Sequence, residues 1–251
     1  MKKSLALFAA IAAITGCQQE KVTVIPQGGT PPSATTSEVT AKPAATAAAA
    51  VVDYASLDAS ARQAVVAGEL RRIGAAIKAY QAKHNGKWPD RLTVLVTEKL
   101  LPASALVSVA DPTGGKEGGV PDSYTQWQQS AETDEASCSF LYELSGATAK
   151  WGWQSYLAGG ASVSTAALDT NKDGEVSWQE AKLWQLARGD TAQATPGPYP
   201  KNRFPVVRCY WYGHPDADTK NRTVISLAAD LETVFLSQPW WEKDTAPVII
   251  P

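Results

Sequence analysis

Leu70-Arg71-Arg72-Ile73-Gly74-Ala75-Ala76-Ile77-Lys78-Ala79-Tyr80 is the stretch whose periodicity decides the fold. Val66, Leu70, Ile73, Ile77 and Tyr80 recur at spacings of four and three, which puts them on one face of an α-helix. Arg71, Arg72, Lys78 and Lys83 fall off that face. Asp58 or Ser56 can cap the start. Asn85-Gly86 supplies the left-handed backbone that stops a helix, and Trp88-Pro89 blocks any continuation. A second helical stretch, Leu92 to Leu101, ends at Pro102. Further on, the runs around Cys138 to Leu141, Val206 to Trp211, Thr223 to Leu227 and Leu231 to Leu236 are strand-like, the last two joined near Asp230. The expected class is α+β: a long N-terminal helix packed on a small antiparallel sheet.

Short fragments along this stretch resemble the soluble part of type II secretion pseudopilins and of pseudopilin-like proteins. They are Leu70-Arg71-Arg72-Ile73-Gly74, Ala79-Tyr80, His84-Asn85-Gly86-Lys87-Trp88-Pro89, Leu92, Leu95, Leu100-Leu101-Pro102 and Asp111-Pro112. Ser137 to Glu143, Pro205 to Cys209 and Trp241-Glu242 extend the likeness, which covers Asp53 to Lys243 with an insertion at about 160–190. The resemblance implies a helix end packed on a small sheet. The chain departs from that family in lacking the apolar N-terminal helix that anchors a pseudopilin and later forms the filament core. Filament assembly by the usual route is therefore not expected.

The start of the chain implies another anchor. Met1-Lys2-Lys3, the apolar run Leu5 to Ile14 and the small residues before Cys17 form a secretory leader, residues 1–16. Ile14-Thr15-Gly16-Cys17 resembles a bacterial lipobox, which implies cleavage before Cys17 and acylation of its thiol, with palmitate for example. Two or three buried acyl chains hold a protein on a membrane stably. Gln18 at the next position resembles an outer-membrane sorting pattern, so the expected place is the cell envelope, on the periplasmic face or the cell surface. Residues 17–52, with Gly28-Gly29, Pro31-Pro32 and the Ala44 to Ala50 run, are too poor in large apolar side chains to build a core and read as a tether. The globular part is expected over 53–251.

One motif carries chemistry. Asp169-Thr170-Asn171-Lys172-Asp173-Gly174-Glu175-Val176-Ser177-Trp178-Gln179-Glu180 fits the twelve-residue EF-hand loop at every expected position. Calcium is a hard cation that takes six to eight oxygens. Asp169, Asn171 and Asp173 offer side-chain oxygens, Glu175 its backbone carbonyl, Ser177 a direct or water-mediated contact, and Glu180 both carboxylate oxygens. Gly174 permits the turn, and Val176 is the apolar residue that fixes the loop's short extended segment. Ala181 to Ala187 continue as a helix ended at Gly189. The entering side is short, since Gly159-Gly160 leave only Val163 to Leu168. No second loop pairs with this one, so a weak, structural ion is expected. Without a cation, Asp169, Asp173 and Glu180 are expected to repel one another.

With Cys17 acylated, Cys138 and Cys209 remain, and two thiols in an exported chain favour a disulfide over two buried free thiols. Trp127, Trp151, Trp153, Trp211, Trp240 and Trp241 suggest either core packing or a glycan-stacking platform. The only histidines are His84 and His214, and no hydrolase, metalloprotease or phosphate-loop motif is present. A formal net charge of −2 gives no basic face for nucleic acid. The expected function is that of a lipid-anchored, calcium-binding, non-catalytic envelope protein with an envelope or secretion-related protein partner. The alternatives are a glycan-binding module and a component of a type II secretion-like system.

Overall fold

The computed structural model describes residues 53–116, 138–149, 157, 163–189, 197–213, 223–239, 241 and 248–250. The chain divides into two units, Met1–Ala49 and Ala50–Pro251, and every described residue lies in the second. The expected leader, Cys17 and tether lie outside the described residues.

Helix α1 spans Ala59–Lys83. Asp58 caps it, its carboxylate accepting from the Ala61 N–H at 2.7 Å. That hydrogen bond satisfies one of the orphan donors of the first turn. The helix stops where expected: Asn85 and Gly86 take φ of 55° and 80°, and the Gly86 N–H reaches back to the Gln81 carbonyl. Val66, Leu70, Ile73 and Ile77 are wholly buried, as the periodicity requires. Helix α2, Thr93–Thr97, is shorter than the expected stretch to Leu101. Lys99 turns into the left-handed region at φ 58°, and the Leu100 and Leu101 N–H groups both fold back on the Leu95 carbonyl. No helix among the described residues is long and apolar enough to cross a membrane.

Five antiparallel strands follow in the sheet in chain order: β1 Leu141–Tyr142, β2 Pro205–Cys209, β3 Val224–Ala228, β4 Val234–Ser237 and β5 Val248–Ile250. The protein is thus α+β, with α1 laid mainly across β3. Gly74 makes the close approach possible: a Cβ there would sit 2.9 Å from the Leu231 carbonyl and 3.0 Å from Leu227 Cδ2. Register pairs Val207 with Leu227, Cys209 with Ile225, and Leu227 with Val234, so these side chains share the face under α1. The opposite face carries Arg208, Ser226 and, by alternation, Ser237.

The strands differ from expectation in several places, beginning with β1, which is confined to Leu141–Tyr142. The run to Trp211 ends as a strand at Cys209, and Trp211–Gly213 forms a 3-10 turn. Strand β4 begins at Val234 and not at Leu231, because the Asp230 carboxylate gathers the Glu232 and Thr233 N–H groups and the Thr233 hydroxyl into the turn. Leu231 accordingly has φ 61°. Strand β5 has no counterpart in the sequence reading.

Candidate functional site

Two short helices flank the loop at Asp169–Glu180: α3, Thr165–Leu168, and α4, Trp178–Arg188. Leu168, Val176 and Trp178 pack with Leu157, Val163 and Ala181 into a small core separate from the main one. Val176 is buried as expected, with 4% of its surface exposed. Its backbone is tied to the chain's own segment 145–149. Thr148 bridges Ser177, the Ala149 N–H donates to the Val176 carbonyl, and the Trp178 and Gln179 N–H groups donate to the Ala147 and Ser145 carbonyls. This segment gives the loop's extended strand a hydrogen-bonding partner.

Inside the loop the Asp169 carboxylate accepts from the Asp173 N–H at 3.1 Å and the Gly174 N–H at 2.9 Å. Asn171 Oδ1 also accepts from the Asp173 N–H, and Asp173 accepts from the Glu175 N–H and from Asn171 Nδ2. Lys172 and Gly174 supply the turn, at φ of 63° and 90°. Glu180 closes the loop as the third residue of a capping box with Ser177. Its Oε2 accepts from the Ser177 N–H and hydroxyl, and its Oε1 from the Thr170 N–H and hydroxyl and the Asn171 N–H.

The expected repulsion between the three carboxylates is therefore not what governs this geometry. Each is compensated by N–H donors. Partial desolvation pushes the Glu180 carboxyl up, but the hydrogen bonds from Ser177 and Thr170 together outweigh it and hold the pKa at about 2. Among the described residues, no group of three or more His, Cys, Asp or Glu side chains is arranged to hold a metal ion. At Glu180, five accepted hydrogen bonds occupy the roughly four lone-pair sites of a carboxylate. The donor set itself is all oxygen, the chemistry a hard cation takes.

Beneath α4, on the sheet face away from α1, lies a buried ionic network that sequence reading missed. Arg208 donates to Glu143 Oε1 at 3.0 Å, to the Tyr210 hydroxyl at 2.7 Å and to the Pro239 and Gln238 carbonyls. Lys182 of α4 lies 3.6 Å from Glu143 Oε2 and over the Trp241 ring. All three charged side chains are essentially inaccessible. Only the charge at Lys182, on the apolar side of an amphipathic helix, could have hinted at it.

The expected Cys138–Cys209 disulfide is not formed, and both thiols are buried. Cys138 Sγ contacts the Phe140 carbonyl, and Cys209 Sγ lies 3.9 Å from Ser108 Oγ. Leu141 pairs with Arg208, so one more step of that register sets Phe140, not Cys138, opposite Cys209. Burial pushes the Cys209 thiol up to about 12. Trp211 and Trp241 are core side chains, at 1% and 2% exposure, which removes them from any surface platform. Trp127, Trp151, Trp153, Trp240 and His214 lie outside the described residues.

Compared with protein-family models, with curated proteins and with solved structures, the chain matches none.

Proposed function

We propose that this chain is a lipid-anchored protein of the bacterial cell envelope that holds one calcium ion at Asp169–Glu180 and acts through interaction, without catalysis.

 Asp169, Asn171, Asp173, Ser177 and Glu180 would hold the ion through side-chain oxygens and Glu175 through its carbonyl. The observation that carries this reading is the loop's backbone. Gly174 turns at positive φ, Asp169 gathers the N–H groups of residues 173 and 174, and the extended strand at Val176 is paired and buried. What calcium supplies there is charge neutralisation and a cross-link between α3 and α4. A cation must displace some of the donors now on Glu180, which favours weak binding of about 10⁻⁴ to 10⁻³ M. The antiparallel sheet under a long helix supports a pseudopilin-like domain, used as an interaction scaffold in place of a filament subunit.

The anchor is tested by metabolic labelling with palmitate. Wild-type protein should take up label and enter the detergent phase, and Cys17→Ser should do neither. An unlabelled wild type would remove the anchor from this reading and leave the calcium loop to be judged by its own measurement.

A further inference from the structure

A cleft of about 960 Å³ separates the exit of α1 from the loop at Asp169–Glu180. That volume is in the range of small-ligand sites. One wall holds Tyr80, stacked on His84 at 4.0 Å, and the half-buried Trp88. The other holds Asn171, Gln179 and Glu180. Asp90 and Arg91 also line it.

The cleft is built. Gln179 Nε2 donates to the Pro89 and Leu144 carbonyls at 3.3 and 3.2 Å, fastening the loop to the Trp88-Pro89 turn. The Gly146 N–H donates to the Asp90 carbonyl at 2.9 Å, and a Cβ at Gly146 would come within 3.0 Å of Asp90 Cβ. The two walls are therefore held in place before any ligand arrives, which lowers the ordering cost of binding.

Charge and shape select the ligand class. Lys87 and Arg91 are balanced by Asp90 and Glu180, and His84 is paired with Glu98 at 2.7 Å, so the lining carries no surplus charge that would select a charged organic ligand. It offers aromatic rings beside planar amide, carboxylate and guanidinium groups. Rings accept the C–H face of a pyranose, and planar polar groups hydrogen-bond its hydroxyl pairs. We propose that this cleft binds a neutral saccharide, and that calcium in the adjoining loop strengthens the binding. The linkage is expected because Asn171, Ser177 and Glu180 belong both to the cleft lining and to the candidate calcium ligands, so an ion that fixes these side chains also orders that wall of the cleft. Linkage is reciprocal, so saccharide must then strengthen calcium binding by the same factor. This inference deepens the interaction reading above and, in its second half, rests on calcium binding.

Calorimetry on residues 18–251 with cellotetraose, maltotetraose, chitotetraose and tetragalacturonate, each with calcium and with EGTA, tests it. At least one neutral tetrasaccharide should bind, about tenfold more weakly in Trp88→Ala and in Asp90→Ala, and several-fold more weakly in EGTA. Circular dichroism and melting of each variant separate lost binding from lost folding, and Asp90 is exposed enough to be replaced without core damage. No binding of any neutral sugar by protein that still binds calcium would overturn the cleft assignment and leave the calcium reading standing. Binding of tetragalacturonate alone, or neutral-sugar binding that both variants keep, would also overturn it. Equal affinity in calcium and EGTA would overturn the linkage.

Discussion

Replacing Gly74 by alanine should destabilise the protein, although alanine is the better helix former. Gly74 lies inside α1, where the exchange alone favours the helix by about 0.8–1.0 kcal/mol. The added methyl would stand 2.9 Å from the Leu231 carbonyl and 3.0 Å from Leu227 Cδ2. Leu227 can shift its side chain. The carbonyl cannot yield easily, because Leu231 sits at φ 61° in a turn held by Asp230 and by its own N–H to the Ala228 carbonyl. Overpacking of this kind costs about 1–3 kcal/mol, so the net loss is about 0–2 kcal/mol. Gly68 is the internal control. It lies on the same helix with nothing within 4 Å of a Cβ, so Gly68→Ala should gain close to the full propensity term. The two variants should differ by about 1–3 kcal/mol in urea unfolding at unchanged m, or by several degrees in melting temperature. If Gly74→Ala is as stable as Gly68→Ala, α1 does not approach β3 as described.

Three further outcomes are expected. Arg208→Met should cost about 3–5 kcal/mol, because it removes the closer partner of the buried Glu143 carboxylate and leaves only Lys182 at 3.6 Å; equilibrium unfolding with no loss would contradict the network. Cys138 and Cys209 should resist alkylation in native protein and both react in urea without reductant, whereas a disulfide would leave both unreactive in urea. In EGTA, stability should fall as pH drops from about 4.5 toward 2. Glu180 is depressed to about 2 and Asp230 is also depressed, so the unfolded chain takes up protons first and the stabilisation present above the unfolded pKa is lost on acidification. Glu180→Gln, which keeps a capping-box residue, should make that acid limb shallower in pH-dependent melts, and an unchanged limb would mean that Glu180 does not carry it.

Much of the frame was legible because it depends on local rules. The three-and-four spacing from Val66 to Ile77, the cap at Asp58 and the stop at Asn85-Gly86 each follow from residues within a turn or two. The sheet was harder. Leu231 reads as strand by its apolarity, and only the Asp230 carboxylate, closing a turn over Thr233, excludes it. The cysteines mislead for a similar reason, since pairing needs the register of β1 on β2, which composition does not contain. Charges at Glu143, Lys182 and Arg208 read as surface until three distant segments bring them together. The candidate ligands at Asp169–Glu180 were legible as a list. Their hydrogen bonds were not, and it is these that decide how much a cation must displace.

Calcium binding at Asp169–Glu180 is what the proposed function depends on. Its most direct test is a set of four melts, wild type and Glu180→Gln, each with EGTA and with 1 mM calcium, alongside calorimetric titration. With a dissociation constant near 0.1 mM, binding to the folded state alone contributes about 1.4 kcal/mol, which raises the wild-type melting temperature by a few degrees. Glu180→Gln keeps a capping-box side chain but loses the bidentate carboxylate, so it should fold in EGTA and gain little from calcium. Magnesium should do much less than calcium in the wild type. Equal melting temperatures in all four conditions, with no heat of calcium binding, would contradict the account.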